Sequence, residues 1–196
     1  MGALIGFTRA LGSLNGAVLA VGRGLGALCM GLMVLCILLQ VFFRYVLNNA
    51  LPWPEELSRF LMLWSTGLMA GTALRRGGFV SIDMITRLLP RALATGLALI
   101  LLLCMIVLLW IGVTIAWSEV TGIGGRFETD SLRVPLSLDL SVWMKVPKAW
   151  MMASMLVGLV LMLSVAVELF LRNLVIMLGG GAGLREIPDT VVLGVE

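Results

Sequence analysis

An all-α integral membrane protein is the fold class that this sequence predicts, and three observations carry it. Of 196 residues, 60% are hydrophobic and 13% charged, where soluble domains carry about 25% charged residues. The mean hydropathy is +1.08, more apolar surface than a chain of this size could bury in water. Apolar runs long enough to cross a ~30 Å hydrocarbon core at ~1.5 Å per residue recur along the chain, and the loops between them differ in basic content. A net charge of +3 is too small to suggest a nucleic-acid partner, so the arginines and lysines report topology instead.

Residues 1–24 form an apolar, glycine-rich lead-in that carries Arg9 and Arg23. It has no basic n-region ahead of an apolar core and no A-x-A-like site, so it is not read as a cleaved signal peptide. Leu4, Ile5, Phe7, Leu11 and Leu14 suit an interfacial helix leading into the membrane. Residues 25–172 form the transmembrane domain, with spans expected at about Leu25–Val46, Glu55–Leu74, Ala92–Trp117 and Ala149–Leu171. Residues 173–196, with the Gly-rich run Gly179–Gly183, read as a flexible tail.

Orientation follows from the loops. Arg75, Arg76, Arg87 and Arg91 stand against Asp83 alone, so this loop is expected in the cytoplasm, and both termini with it. The opposite side receives the segment with Glu55 and Glu56 and the long loop Ser118–Lys148, whose charges balance. Val80–Leu89 suits a short interfacial helix between spans two and three, stopped by Pro90. The competing reading makes it the first turn of the third span, against which Pro90 argues.

Chemistry-bearing patterns are sparse. Gly22-x-Gly24-x-Gly26 follows no strand, so it is not a nucleotide fingerprint. Cys29, Cys36 and Cys104 all lie in apolar segments and read as structural. The sequence has no histidine, which excludes a haem held by two histidines and hence a respiratory haem anchor of that kind. No cofactor, metal site or enzymatic activity is expected. Ionisable groups inside spans are the default functional candidates in a membrane protein, and here they sit near span ends. Glu168 has Arg172 four residues on as its natural partner. With no acid at a midplane, a stand-alone small transporter with proton coupling is disfavoured.

The densest polar stretch is Trp53-Pro54-Glu55-Glu56-Leu57-Ser58-Arg59. Pro54 suits a first helical turn, where its missing N–H is not needed. The two carboxylates fall where the helix dipole favours them. Arg59 lies four residues after Glu55 and three after Glu56, within reach of both. Two readings stand: a capped helix start with self-neutralising charges, or a cluster buried against a partner with Arg44 as a further cation. Gly67-x-x-x-Gly71, with Trp64 on the same face as Gly67, is a close-packing signature that fits either intrachain packing or a partner helix.

On these residues the chain resembles the small membrane subunit (DctQ type) of tripartite ATP-independent periplasmic (TRAP) transporters. The resemblance rests on Arg44-Tyr45, on Trp53-x-Glu55-Glu56-x-x-Arg59, on the apolar run to Gly71, on Arg75 and on Val80-Ser81-Ile82-Asp83. More loosely, it rests on Val134-Pro135 and on Leu140 to Pro147, where Trp143, and Trp150 beyond, would lie at headgroup level. The family usually has a histidine near Phe79, absent here, so no role is assigned to it. The resemblance implies a non-catalytic scaffold subunit in a bacterial cytoplasmic membrane. Its partners would be membrane lipids, a large multi-span subunit carrying the substrate and ion sites, and a periplasmic binding protein that delivers an organic anion.

Overall fold

The computed structural model describes residues 2–49, 51–77, 91–135 and 143–178. Within them the chain forms four long helices, α1 (Gly2–Tyr45), α2 (Trp53–Arg75), α3 (Arg91–Thr121) and α4 (Lys148–Met177). Between α3 and α4 come a short 3-10 turn, Gly124–Arg126, and two strands, β1 (Glu128–Pro135) and β2 (Trp143–Pro147). The helical class expected from the sequence holds. The expected interfacial helix at 80–89, Asp83, and the tail from 179 onward lie outside the described residues.

Three of the helices are long and apolar enough to cross a membrane: Leu4–Tyr45, Gly96–Thr121 and Lys148–Met177. The 23-residue α2 falls short of that apolarity, because its first two turns hold Glu55, Glu56 and Arg59, its middle Ser65 and Thr66, and its last turn Thr72. The first helix also differs from expectation. It runs unbroken for 44 residues, through position 24 where the lead-in was expected to hand over to the first span. No proline precedes Pro52, and scattered glycines cost too little to interrupt an apolar helix.

Helix ends follow local chemistry. Beyond α1, Val46 N–H donates to the Phe42 carbonyl at 2.9 Å and Asn49 N–H to the Phe43 carbonyl at 3.0 Å. The turn needs a left-handed residue, and Asn48 supplies it with φ 50°, asparagine being among the side chains that tolerate that region. Pro54 is buried in the first turn of α2. At the other end Gly77, with φ 82°, takes the left-handed conformation that terminates helices most readily at glycine.

The chain divides into two compact units, each taking a segment from every helix. The first comprises 1–21, 70–112 and 159–196. Its core is Leu19, Leu74, Leu109, Val165 and Ala166, with Met105, Ile106 and Met162 packed on them. Here Gly71 lets α2 approach: a Cβ on it would stand 3.0 Å from Leu19 Cδ2 and 3.1 Å from Leu161 Cβ.

The second unit comprises 22–69 and 113–158. Its tightest contact is the crossing of α2 and α4 at Gly67 and Gly158. A Cβ on Gly67 would stand too close to the Ser154 carbonyl oxygen, and one on Gly158 would lie 2.9 Å from Gly67 Cα. The small-residue motif is therefore used within the chain, where close backbone contact supplies the dispersion that lipid cannot. In the same unit α1 buries only a narrow stripe: Gly22 and Gly26 are buried, and Cys29, Met33, Cys36, Gln40 and Phe43 half-buried. These positions alternate by four and three, the 3.5-residue period of a left-handed helix crossing. The remaining faces of this half of α1, such as Leu35 and Leu38, are exposed apolar surface.

The Gly67–Gly158 crossing predicts that Gly158→Val forces α2 and α4 apart. Overpacking of this kind costs roughly 1–3 kcal/mol, so thermal unfolding in detergent is expected at clearly lower temperature. Gly31→Ala on α1, where an added Cβ meets nothing within 4 Å, is expected to match or exceed the parent. Equal unfolding temperatures for Gly158→Val and the parent would refute the close crossing.

Candidate functional site

The first unit holds a carboxylate with no exposure at all. Glu168 on α4 is 0% accessible. It lies twenty residues after Lys148, about 30 Å along the helix and hence near the far edge of a hydrocarbon core that begins there. Both its oxygens are engaged. Arg75 Nη2 donates to Oε1 at 2.8 Å and Arg172 Nε to the same oxygen at 3.1 Å. Asn15 Nδ2 donates to Oε2 at 2.9 Å. The i,i+4 pairing with Arg172 is the one the sequence predicted. Arg75 and Asn15 come from helices 93 and 153 residues away in sequence.

The surrounding residues make room for this arrangement. Arg75 Nη2 also donates to the Gly12 carbonyl at 2.7 Å, and Asn15 Nδ2 to the Ser164 carbonyl at 3.2 Å. A Cβ on Gly12 would stand 3.0 Å from both Arg172 Nη2 and Glu168 Oε1, and one on Gly16 would stand 3.2 Å from Arg75 Nη1. The two glycines on α1 let three helices meet around one carboxylate. Isolating a charge here would cost several kcal/mol, and two guanidiniums with an amide are what offset it. Arg75 Nε and Thr72 Oγ1 are buried without a hydrogen-bond partner among the described residues.

The second unit contains the other candidate residues. Glu55 and Arg59 form an i,i+4 ion pair that is largely exposed, with side chains 55% and 71% accessible. Screening leaves such a pair about 0–1 kcal/mol. Glu56 turns elsewhere. One of its oxygens accepts from Ser131 N–H at 2.7 Å, from the Ser131 hydroxyl at 2.5 Å and from Leu132 N–H at 2.8 Å.

The sheet explains why those amides are available. β1 and β2 pair antiparallel at Glu128↔Pro147 and again from Arg133↔Lys145, so five steps along β1 face two along β2. The irregularity bends β1 and leaves amides outside the ladder, and Glu56 takes two of them. Thr129 Oγ1 donates to the Leu132 carbonyl at 3.1 Å within the bulge, and Lys148 N–H donates to the Phe127 carbonyl at 2.8 Å where α4 begins. The sequence reading placed no strand in the loop Ser118–Lys148. Its residues 128–135 lack the period-two alternation that marks a strand, and the anchor that fixes them is 75 residues away.

Among the described residues Arg44 forms no ion pair with the carboxylates across the first hairpin; its guanidinium carbon lies 5.9 Å from the Tyr45 ring centroid. Trp53 and Trp150 are 39% and 50% accessible, while the side chain of Trp143 lies outside the described residues. Trp64 packs near Phe60 with ring centroids 6.2 Å apart, and its indole N–H is buried without a partner among the described residues.

The two neighbouring glutamates therefore predict opposite outcomes. Glu56→Ala strands two backbone amides, at about 1–3 kcal/mol for the unmade bonds. Amide exchange over 128–134 is expected to accelerate markedly. Glu55→Ala is expected to leave exchange there unchanged. Equal protection in both variants would refute the anchoring role of Glu56.

Comparison with known proteins adds the family. No curated protein matches the chain. The sequence model of the family described as "Tripartite ATP-independent periplasmic transporters, DctQ component" matches residues 33–176. The matched region contains Arg75, Glu168, Arg172 and Glu56, and Gly12 and Asn15 precede it. A match over this much of the sequence, on a chain whose helices are built for a membrane, makes the protein a member of the DctQ family, the small membrane component of TRAP transporters.

Proposed function

We propose that the chain is the non-catalytic scaffold subunit of a secondary-active TRAP transporter in a bacterial cytoplasmic membrane. It stands beside a large multi-span subunit that carries the substrate and coupling-ion sites, and a periplasmic binding protein delivers the substrate, an organic anion. The observation that carries this reading is Glu168. The fully buried acid of the described helices is committed to Arg75, Arg172 and Asn15 of its own chain. A carboxylate already engaged by two guanidiniums of its own chain is a poor site for a metal cation and a good lock for a rigid body.

Four crossings with both termini in the cytoplasm complete the reading. As the fourth crossing, α2 is long enough at 23 residues, about 35 Å. The hydroxyls in its middle support this: Ser65 and Thr66 both donate to the Met62 carbonyl, at 3.0 and 2.9 Å, which spares them a partner in lipid. The basic group around Arg75 and Arg76 then faces the cytoplasm, and the hairpin anchored by Glu56 faces the periplasm, where the binding protein docks. Membership of a transporter-component family supports transport over an anchoring role in another complex.

Reconstitution separates the scaffold from a stand-alone transporter. Proteoliposomes holding this chain alone are expected to show no anion uptake under an imposed ion gradient. Uptake is expected once the large subunit and loaded binding protein are supplied. Gradient-driven uptake by the lone chain would overturn the scaffold reading.

A further inference from the structure

The second unit contains a cavity of about 710 Å³ that the scaffold role does not use, formed where the hairpin meets the first turns of α2 and α4. Leu57 and Phe60 form its α2 wall and Leu132 and Val146 its hairpin wall; the last two are 8% and 2% accessible. Trp53 and Trp150 also line it and are half-exposed. Among the described residues Arg133 is the one charged residue of the lining; it is exposed and forms no ion pair there. Of the neighbouring charges, Lys145 pairs with Glu128 at 3.7 Å and Arg59 with Glu55.

The geometry points to a glycerophospholipid site: an acyl chain lies between Leu57, Phe60 and Val146, and the phosphodiester is held by Arg133. Three features favour this occupant. The cavity opens where α2 and α4 both begin, and two tryptophans mark its rim, as they do at a membrane's headgroup level. Its volume lies within the range of small-molecule pockets, and its walls are apolar. The exposed guanidinium of Arg133 complements a phosphate and offers that group a fork of donors. An apolar wall with one cation at its edge is the complement of an apolar chain ending in one anion.

The site is tested on the full chain purified in mild detergent, by native mass spectrometry with added dioleoyl phosphatidylglycerol and, separately, dioleoylglycerol, which lacks the phosphate. The parent is expected to retain one phosphatidylglycerol per chain and to retain dioleoylglycerol far less. Loss of a charge-assisted hydrogen bond predicts roughly tenfold weaker retention for Arg133→Gln, with partial recovery in Arg133→Lys. Leu57→Trp, which fills the cavity, is expected to abolish retention, and Leu108→Trp on the exposed face of α3 to leave it unchanged. If Leu57→Trp does not fold, the exposed Arg133 variants decide alone. Equal retention by Arg133→Gln and the parent, equal binding of the two lipids, or no retained lipid on the parent would each overturn the assignment.

Discussion

A carboxylate without solvent contact has to be answered by its surroundings, and the packing of the first unit depends on how Glu168 is answered. Its partners come from α1, α2 and α4, so the position and rotation of all three helices are tied to one group. Apolar side chains alone would fix those helices weakly, because lipid tails solvate leucine as well as another leucine does. Hydrogen-bonded charge does fix them, since sliding any helix would leave unmade a bond to a fully buried carboxylate. Gly12 and Gly16 are small for the same reason: a side chain at either would stand in the space of the guanidiniums.

Glu56 does in the second unit, on a smaller scale, what Glu168 does in the first. Its carboxylate takes up backbone donors released by the bulge in β1, and so fixes a hairpin that has only two strands. Two-stranded sheets are marginal by themselves. Holding this one against the start of α2 also creates the apolar cavity beside it, whose walls come from both elements. Adjacent acids in one motif thus serve different ends: Glu55 spends its charge on an exposed neighbour, and Glu56 organises a loop.

What the sequence made legible follows from the range of the signal. Periodicity and hydropathy act locally, so the four helices and the membrane class could be read, as could the Glu168–Arg172 and Glu55–Arg59 pairs one helical turn apart. The glycine motif on α2 was visible too, but not its counterpart Gly158. The resemblance marked Arg75 without saying what it touches. Asn15 went unnoticed because a lone amide on a lead-in helix carries no signal until α4 stands beside it, and composition alone does not show that α1 runs on through position 24. The hairpin was illegible because its strands are specified by Glu56 and not by their own alternation.

The central claim is that the Glu168 charge is matched inside this chain. A double-mutant cycle on Arg75 and Glu168 tests it most directly, with unfolding of the full chain followed in detergent for Arg75→Met, Glu168→Gln and the pair. Removing one partner of a buried pair costs about 3–5 kcal/mol, so Arg75→Met is expected to be severely destabilised. The double variant is expected to lose less than the sum of the singles by at least about 1 kcal/mol, as residues in one network do. Additive losses would mean that the two side chains do not sense each other, and would contradict the account.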